Sequence, residues 1–108
     1  MKLPTEIFGD VVVAHTPEEM AEDQAEGFEA FAMSLDQVKV IVDIDGTESL
    51  DSAGLTSLLN ARDALRELDG DLKIATTNSV NRKILEITRL DQQLDVFDSV
   101  IDAVKSFG

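Results

Sequence analysis

The sequence contains no cysteine, tryptophan or tyrosine, and only two prolines. Without cysteine the chain has no disulfide framework, no thiolate nucleophile and no cysteine-ligated zinc or iron site. Its longest apolar run, from Val11 to Ala14, is far shorter than the roughly 18 residues that a membrane-spanning helix needs. The amino terminus also lacks the basic and then apolar pattern of a signal peptide. We therefore expect a soluble cytoplasmic protein.

Basic residues are scarce: 9 Lys and Arg stand against 22 Asp and Glu, which gives a net charge of −13. Residues 1–51 hold 13 of the acids and only 2 of the bases. Such a surface repels phosphate backbones and anionic lipids, so we expect neither nucleic-acid nor membrane binding. A basic protein partner would be attracted; alternatively, the acidity serves only solubility.

Catalytic groups are also few. The single histidine, His15, has no nucleophile with which to form a pair, and no glycine-rich phosphate loop is present. Asp43, Asp45 and Asp51 suggest a metal site or the phospho-acceptor aspartate of a response-regulator receiver, but a receiver also needs an acidic pair after its first strand and a lysine after its last. We expect no metal, no cofactor and no enzymatic activity.

The apolar pattern predicts one α/β domain over residues 1–108, with a mixed sheet of four to five strands covered by about four helices. The strand at residues 39–44 is β-branched and short, which is typical of a central strand. Predicted strands are residues 2–8, 10–16, 39–44, 72–76 and a short one at 96–97; predicted helices are residues 18–35, 52–68 and 78–88, and one that begins at Asp98 or Ser99.

Spacing also predicts which side of each helix faces the core. The second helix has the strongest stripe, formed by leucines, and Gly70 just beyond it is a predicted stop signal. The third helix is predicted to bury Val80, Ile84 and Ile87. For the fourth helix the predicted inward residues are Val100, Ile101, Val104 and Phe107.

One stretch lies between the central strand and the leucine-striped helix. It reads Leu-Asp-Ser-Ala-Gly-Leu over residues 50–55 and follows the strand segment Val42-Asp43-Ile44. In this context it resembles the Asp-Ser-x-Gly-Leu turn of STAS domains, in particular those of the anti-sigma factor antagonists. The resemblance extends over nearly the whole chain, including the closing strand and helices.

The resemblance implies a regulator that binds an anti-sigma factor, itself a serine kinase, and that is switched off by phosphorylation of Ser52. The partner-binding residues that it implies are Asp43, Asp51, Ser52, Ala53, Gly54 and Thr56, with Glu22 and Asp23 in the first helix. A glycine at 54 would allow a kinase to approach Ser52 closely. Alternatively, Asp51 or Ser52 only caps the helix, and the nearby hydroxyls of Thr47, Ser49, Thr56 and Ser57 could take the phosphate instead.

Two departures from the family pattern affect these expectations. Residues 18–21, after the second strand, lack the family's glycine and aspartate, for which Glu22 or Asp23 could substitute. Thr56 stands where the family often has glycine. A constitutive interaction module, such as a scaffold in a signalling complex or a transporter accessory subunit, therefore stays open as an alternative. A monomer is the expected state.

Overall fold

The protein, described over residues 1–108 by a computed structural model, contains a five-stranded mixed sheet, a two-stranded parallel ribbon and four α-helices. The elements in chain order are β1 (Thr5–Phe8), β2 (Val11–His15), β3 (Glu19–Met20), α1 (Glu22–Ser34), β4 (Lys39–Asp43), β5 (Ser49–Leu50), α2 (Ser52–Arg66), β6 (Asp71–Ala75), α3 (Ser79–Ile87), β7 (Val96–Phe97) and α4 (Val100–Ser106). The predicted α/β class, with four to five strands and four helices, is confirmed.

The main sheet has the order β1-β2-β4-β6-β7. β1 forms an antiparallel hairpin with β2, and every other pair is parallel. β4 is central, as predicted, and buries Val40, Ile41 and Val42. Because the parallel connections are right-handed and advance in one direction across the sheet, α1, α2 and α3 lie on the same face.

The core has two parts, one on each side of the sheet. The larger part lies beneath α1, α2 and α3 and includes Phe28, Leu58 and Leu85. The smaller part lies beneath α4, where Ala103 belongs to one buried cluster with Val13, Ile41 and Ala75 of the sheet. None of the helices has the length and apolar character that crossing a bilayer requires.

The first helix begins later than the sequence pattern predicts. Residues 19–20 form β3 instead of a helical turn, because their backbone pairs with Ser49 and Leu50 of β5 in parallel register. Periodicity could not reveal this ribbon, since each of its strands has only two residues.

Helix α2 ends at Arg66, and the predicted role of Gly70 is partly wrong. Asp69 takes the left-handed conformation, with φ of 64°, while the Gly70 amide donates to the carbonyl of Leu65. This is the Schellman arrangement, with aspartate where glycine is usual. Gly70 is small for another reason: a Cβ there would overlap the carbonyl oxygen of Val38.

The predicted inward face of α3 is wrong for Val80 and Ile87, and only Ile84 packs partly against the core. Val80 and Ile87 are 64% and 71% exposed, whereas Asn81 and Leu85 are buried. The side-chain amide of Asn81 donates through Nδ2 to the carbonyl of Ile44 at 3.0 Å and to that of Thr47 at 2.8 Å. The Ile44 carbonyl also accepts from the Thr47 backbone amide, but the Thr47 carbonyl has Asn81 as its donor within the protein. Asn81 therefore fixes the rotation of the helix and leaves Val80 and Ile87 outside.

The prediction for α4 is correct except for Ile101. Val100, Val104 and Phe107 pack against the smaller core, but Ile101 is 58% exposed and Ala103 takes the inward position. The buried Lys73 ammonium donates to the Ser106 hydroxyl at 2.8 Å and lies 4.2 Å from the centre of the Phe107 ring, which holds the end of α4 on the sheet.

Candidate functional site

Ser52 is the first residue of α2, and Asp51 is its N-cap. The Asp51 carboxylate accepts a hydrogen bond from the Gly54 amide at 2.9 Å, so Asp51 satisfies one of the amides that a helix start leaves unpaired. The Ser52 side chain is exposed, and no hydrogen bond in the protein uses its hydroxyl. The cap and the candidate phosphate acceptor are therefore two different residues.

Gly54 lies inside the protein, below Ser52. Its Cα faces the backbone of Met20, and a Cβ there would overlap the Met20 carbonyl oxygen. The sequence-based reason for a glycine, close approach by a kinase, therefore needs correcting: the space beside Gly54 is filled by β3. Glycine at this position lets the start of α2 pack directly on β3, which positions Asp51 and Ser52. Ala53 is half-buried.

The β3-β5 ribbon brings two helix starts together. Met20 pairs with Leu50, α1 begins two residues after Met20, and α2 begins two residues after Leu50. Glu22 and Asp23, exposed in the first turn of α1, are thereby placed at the same end of the molecule as Asp51 and Ser52. The structure thus collects residues that are 29 positions apart in the sequence.

Two of the four alternative phosphate acceptors are inaccessible. Thr47 is fully buried, and its hydroxyl donates to the Pro17 carbonyl at 2.6 Å and contacts the Thr16 hydroxyl. Ser57 is also fully buried and donates to the Gly54 carbonyl at 2.6 Å. Their suggested role is wrong, because a kinase cannot reach a hydroxyl that is inside the fold. Ser49 and Thr56 are exposed.

Asp43, Asp45 and Asp51 do not converge on a common point. Asp43 bonds to His15, while Asp45 accepts hydrogen bonds from Thr76 and from Thr77. Burial alone would raise the pKa of Asp45, but these bonds outweigh burial and lower it below its usual value. The Asp43 side chain is only 17% exposed, so it belongs to the internal support of this end of the sheet and offers a partner little surface.

His15 connects three strands in a way that the sequence did not reveal. Its Nδ1 lies 2.9 Å from the Asp43 carboxylate and its Nε2 lies 2.7 Å from that of Glu6. Burial lowers the pKa of His15, but the hydrogen bond to Glu6 and the charge of Asp43 outweigh burial, so the pKa is raised overall. His15 is a structural bridge between β1, β2 and β4.

The surroundings of Ser52 are acidic and contain a pair of like charges. The Glu48 amide donates to the Glu18 carbonyl at 2.7 Å, which sets the two side chains next to each other at the edge of the ribbon. Hydrogen bonding to Glu18 and repulsion from its charge raise the pKa of Glu48. Both residues are exposed, so this end of the molecule presents negative charge to any partner.

A model of the STAS domain matches residues 2–103. The chain belongs to the STAS family. No curated protein sequence is similar enough to this STAS domain to count as a relative.

Solved structures agree with the family assignment in fold. A Thermotoga maritima protein assigned as an anti-sigma factor antagonist has a TM-score of 0.84 at 21% identity, over 96% of this chain and 92% of that one. An anti-sigma factor antagonist from Mycobacterium paratuberculosis has a TM-score of 0.84 at 19% identity, over 97% and 92%. The Bacillus protein SpoIIAA in its phosphorylated form has a TM-score of 0.71 at 15% identity, over 99% and 100%.

Proposed function

We propose that this STAS domain is an anti-sigma factor antagonist, which binds an anti-sigma serine kinase until that kinase phosphorylates Ser52. The observation that carries the proposal is the state of the Ser52 hydroxyl, which is exposed and unbonded at the start of α2. The other exposed hydroxyls nearby, those of Ser49 and Thr56, lie in β5 and in the second turn of α2. We expect these two to remain unmodified.

The start of α2 suits a phosphoryl group. The backbone amides of Ser52 and Ala53 make no hydrogen bond in the protein, and the helix dipole adds a partial positive charge at this end. A phosphate on Ser52 would be accommodated by these groups without rearranging the fold. SpoIIAA, with the same fold, exists in phosphorylated and unphosphorylated forms.

The effect of the phosphate is electrostatic and steric. It adds a charge of about −1.5 to −2 at pH 7. Asp51, Glu22 and Asp23 share this end of the molecule, so the phosphate adds its charge beside like charges. An acidic or apolar partner surface that rests on the serine would then be repelled or left against a charged group. A partner that fits the serine hydroxyl closely would be displaced by the bulk of the hydrated group, and the domain itself would stay folded.

Phosphate mapping tests the first step. The domain is incubated with a candidate anti-sigma kinase and ATP, and the modified residue is located by mass spectrometry. We expect one phosphate on Ser52, its loss in Ser52→Ala, and its retention in Ser49→Ala and Thr56→Ala. A phosphate on Thr56 that persists in Ser52→Ala would contradict the assignment.

Affinity measurement tests the second step. Ser52→Asp should weaken binding to the kinase at least tenfold, which is about 1.4 kcal/mol. Asn60→Asp is the matched control, because it adds the same charge to an exposed position of α2 two turns away. Equal affinity of wild type and Ser52→Asp would favour a constitutive interaction module instead.

A further inference from the structure

Helix α3 carries more apolar side chains than it buries. Val80, Ile84 and Ile87 follow one another at helical spacing and form a continuous strip, of which only Ile84 packs partly against the core. We call these three residues the α3 strip. Single exposed apolar residues are ordinary, whereas apolar residues at helical spacing form the kind of face with which helices pack.

The α3 strip lies on the side of α3 that is turned away from the edge strand β7. Arg82, on the other side of α3, contacts the Asp98 carboxylate, which follows the edge strand β7. At 100° per residue, Ile84 lies roughly opposite Arg82. The strip therefore points away from β7 and, since Val80 and Ile87 are exposed, outward from the helix layer.

The charge around the α3 strip is opposite to that of the molecule. Residues 79–90 contain three bases and one acid, although the whole chain carries −13. Arg82 is paired with Asp98, but Lys83 and Arg89 are exposed and take part in no ion pair. The surface that complements this face is apolar and acidic.

This chain itself presents such a surface on α1. Residues 22–34 contain four acids and no base. The exposed side of α1 is formed at helical spacing by Asp23, Glu26, Ala30 and Met33, so it combines carboxylates with apolar groups. α1 and α3 lie in one layer on the two sides of α2, as the shared core beneath them requires.

We propose that the domain forms a symmetric homodimer in which the α3 strip of each copy packs against the exposed side of α1 of the other. A two-fold axis near α2 makes both contacts equivalent and closes the assembly. The net charge opposes association at long range, but at 0.15 M salt the Debye length is about 8 Å, so the complementary charges at the contact decide.

Sedimentation equilibrium of the purified chain, from about 10 µM to 1 mM in 0.15 M NaCl, tests the proposal. We expect a monomer-dimer equilibrium with a Kd below about 1 mM, weak because the strip is smaller than a standard interface. Ile87→Asp should weaken it at least tenfold. A chain that stays monomeric at 1 mM would overturn the proposal.

Three further single variants and one double variant test whether the contact is specific. Ile101→Asp is the matched control, because Ile101 is similarly exposed but lies on α4 at the opposite face of the sheet, and it should leave the Kd unchanged. Lys83→Glu and Glu26→Lys should each weaken the dimer, and the double variant should recover most of the loss. A dimer that is lost with Ile101→Asp and retained with Ile87→Asp would refute the assignment. Circular dichroism verifies that each variant is folded.

Discussion

Helices α2 and α3 are neighbours on one face of the sheet, but different forces position them. α2 buries the apolar stripe of its sequence. Its first turn packs directly on β3, because Gly54 has no side chain that would separate the two backbones. α3 turns the polar Asn81 inward and leaves much of its apolar stripe outside. An apolar stripe thus sets the rotation of a helix only where no buried polar group requires a different one.

The same difference distinguishes the surface around Ser52 from the exposed surface of α3. Around Ser52 the backbone is held by the Asp51 cap, the Gly54 contact and the ribbon, so only the serine hydroxyl and the charges are free to act. Along α3 the apolar side chains of Val80 and Ile87 are exposed and have no packing partner in the domain. Four substitutions compare these two modes of positioning.

Gly54→Ala should have the largest effect. Alanine in place of glycine usually stabilises a helix by about 1 kcal/mol, but here the new Cβ overlaps the Met20 carbonyl, and overpacking of this kind costs about 3 kcal/mol. Urea unfolding followed by far-UV circular dichroism would measure the loss. Gly27→Ala in α1 is the control, because its Cβ would make only an ordinary 3.4 Å contact with Met1, and it should be neutral or stabilising. A Gly54→Ala protein as stable as wild type would mean that α2 does not depend on this contact.

Asn81→Ala should have the next largest effect. It removes both hydrogen bonds from α3 to the connection between β4 and β5 and leaves the Thr47 carbonyl without its donor, at a cost of about 2 kcal/mol. The same urea experiment applies, with the exposed Asn60→Ala of α2 as control. If the two variants lost equal stability, the amide of Asn81 would not be what fixes α3.

Most of the fold could be predicted from the sequence because its signals are local. The β-branched run of β4, the leucines of α2 and the capping residues before α2 and α3 each act within a few positions. The rotation of α3 could not be predicted, since the acceptors of Asn81 are 37 and 34 residues away. The β3-β5 ribbon is too short to give a period.

The candidate site divides in the same way. Asp51 and Ser52 could be placed at the start of a helix from local sequence, whereas their proximity to Glu22 and Asp23 depends on the ribbon. Thr47 and Ser57 carry hydroxyls close to Ser52 in the sequence, so all three could be phosphate acceptors by sequence alone. Only the packing shows that Thr47 and Ser57 are buried.

Loss of a helix cap should have a smaller effect, and a similar one in both helices. Asp51 accepts a bond from the Gly54 amide, and Asn78 accepts bonds from the Val80 and Asn81 amides. Asp51→Ala and Asn78→Ala should each cost about 1 kcal/mol in urea unfolding. Ser52→Ala serves as control and should cost less than about 0.5 kcal/mol, because its hydroxyl has no partner. A large loss in Ser52→Ala would show that the serine supports the fold.

The smallest expected effect concerns pH and the outer edge of the sheet. The pKa of His15 is raised above its ordinary 6.5 in the folded protein, because the hydrogen bond to Glu6 and the charge of Asp43 outweigh burial. Protonated His15 donates to both carboxylates, so its contribution is fully present below about pH 6.5 and is lost as the pH rises through the folded-state pKa. We expect a contribution of less than about 1 kcal/mol, as for other partly exposed ion pairs.

Urea unfolding of wild type and His15→Gln at several pH values tests this prediction. The free energies of unfolding of the two proteins should become equal at pH values above the folded-state pKa of His15. Asp45, whose pKa is lowered, contributes stability above its ordinary pKa and loses it only as the pH falls into the acidic range, equally in both proteins. A difference between them that grew with rising pH would mean that neutral His15, and not the charged bridge to Glu6 and Asp43, stabilises β1.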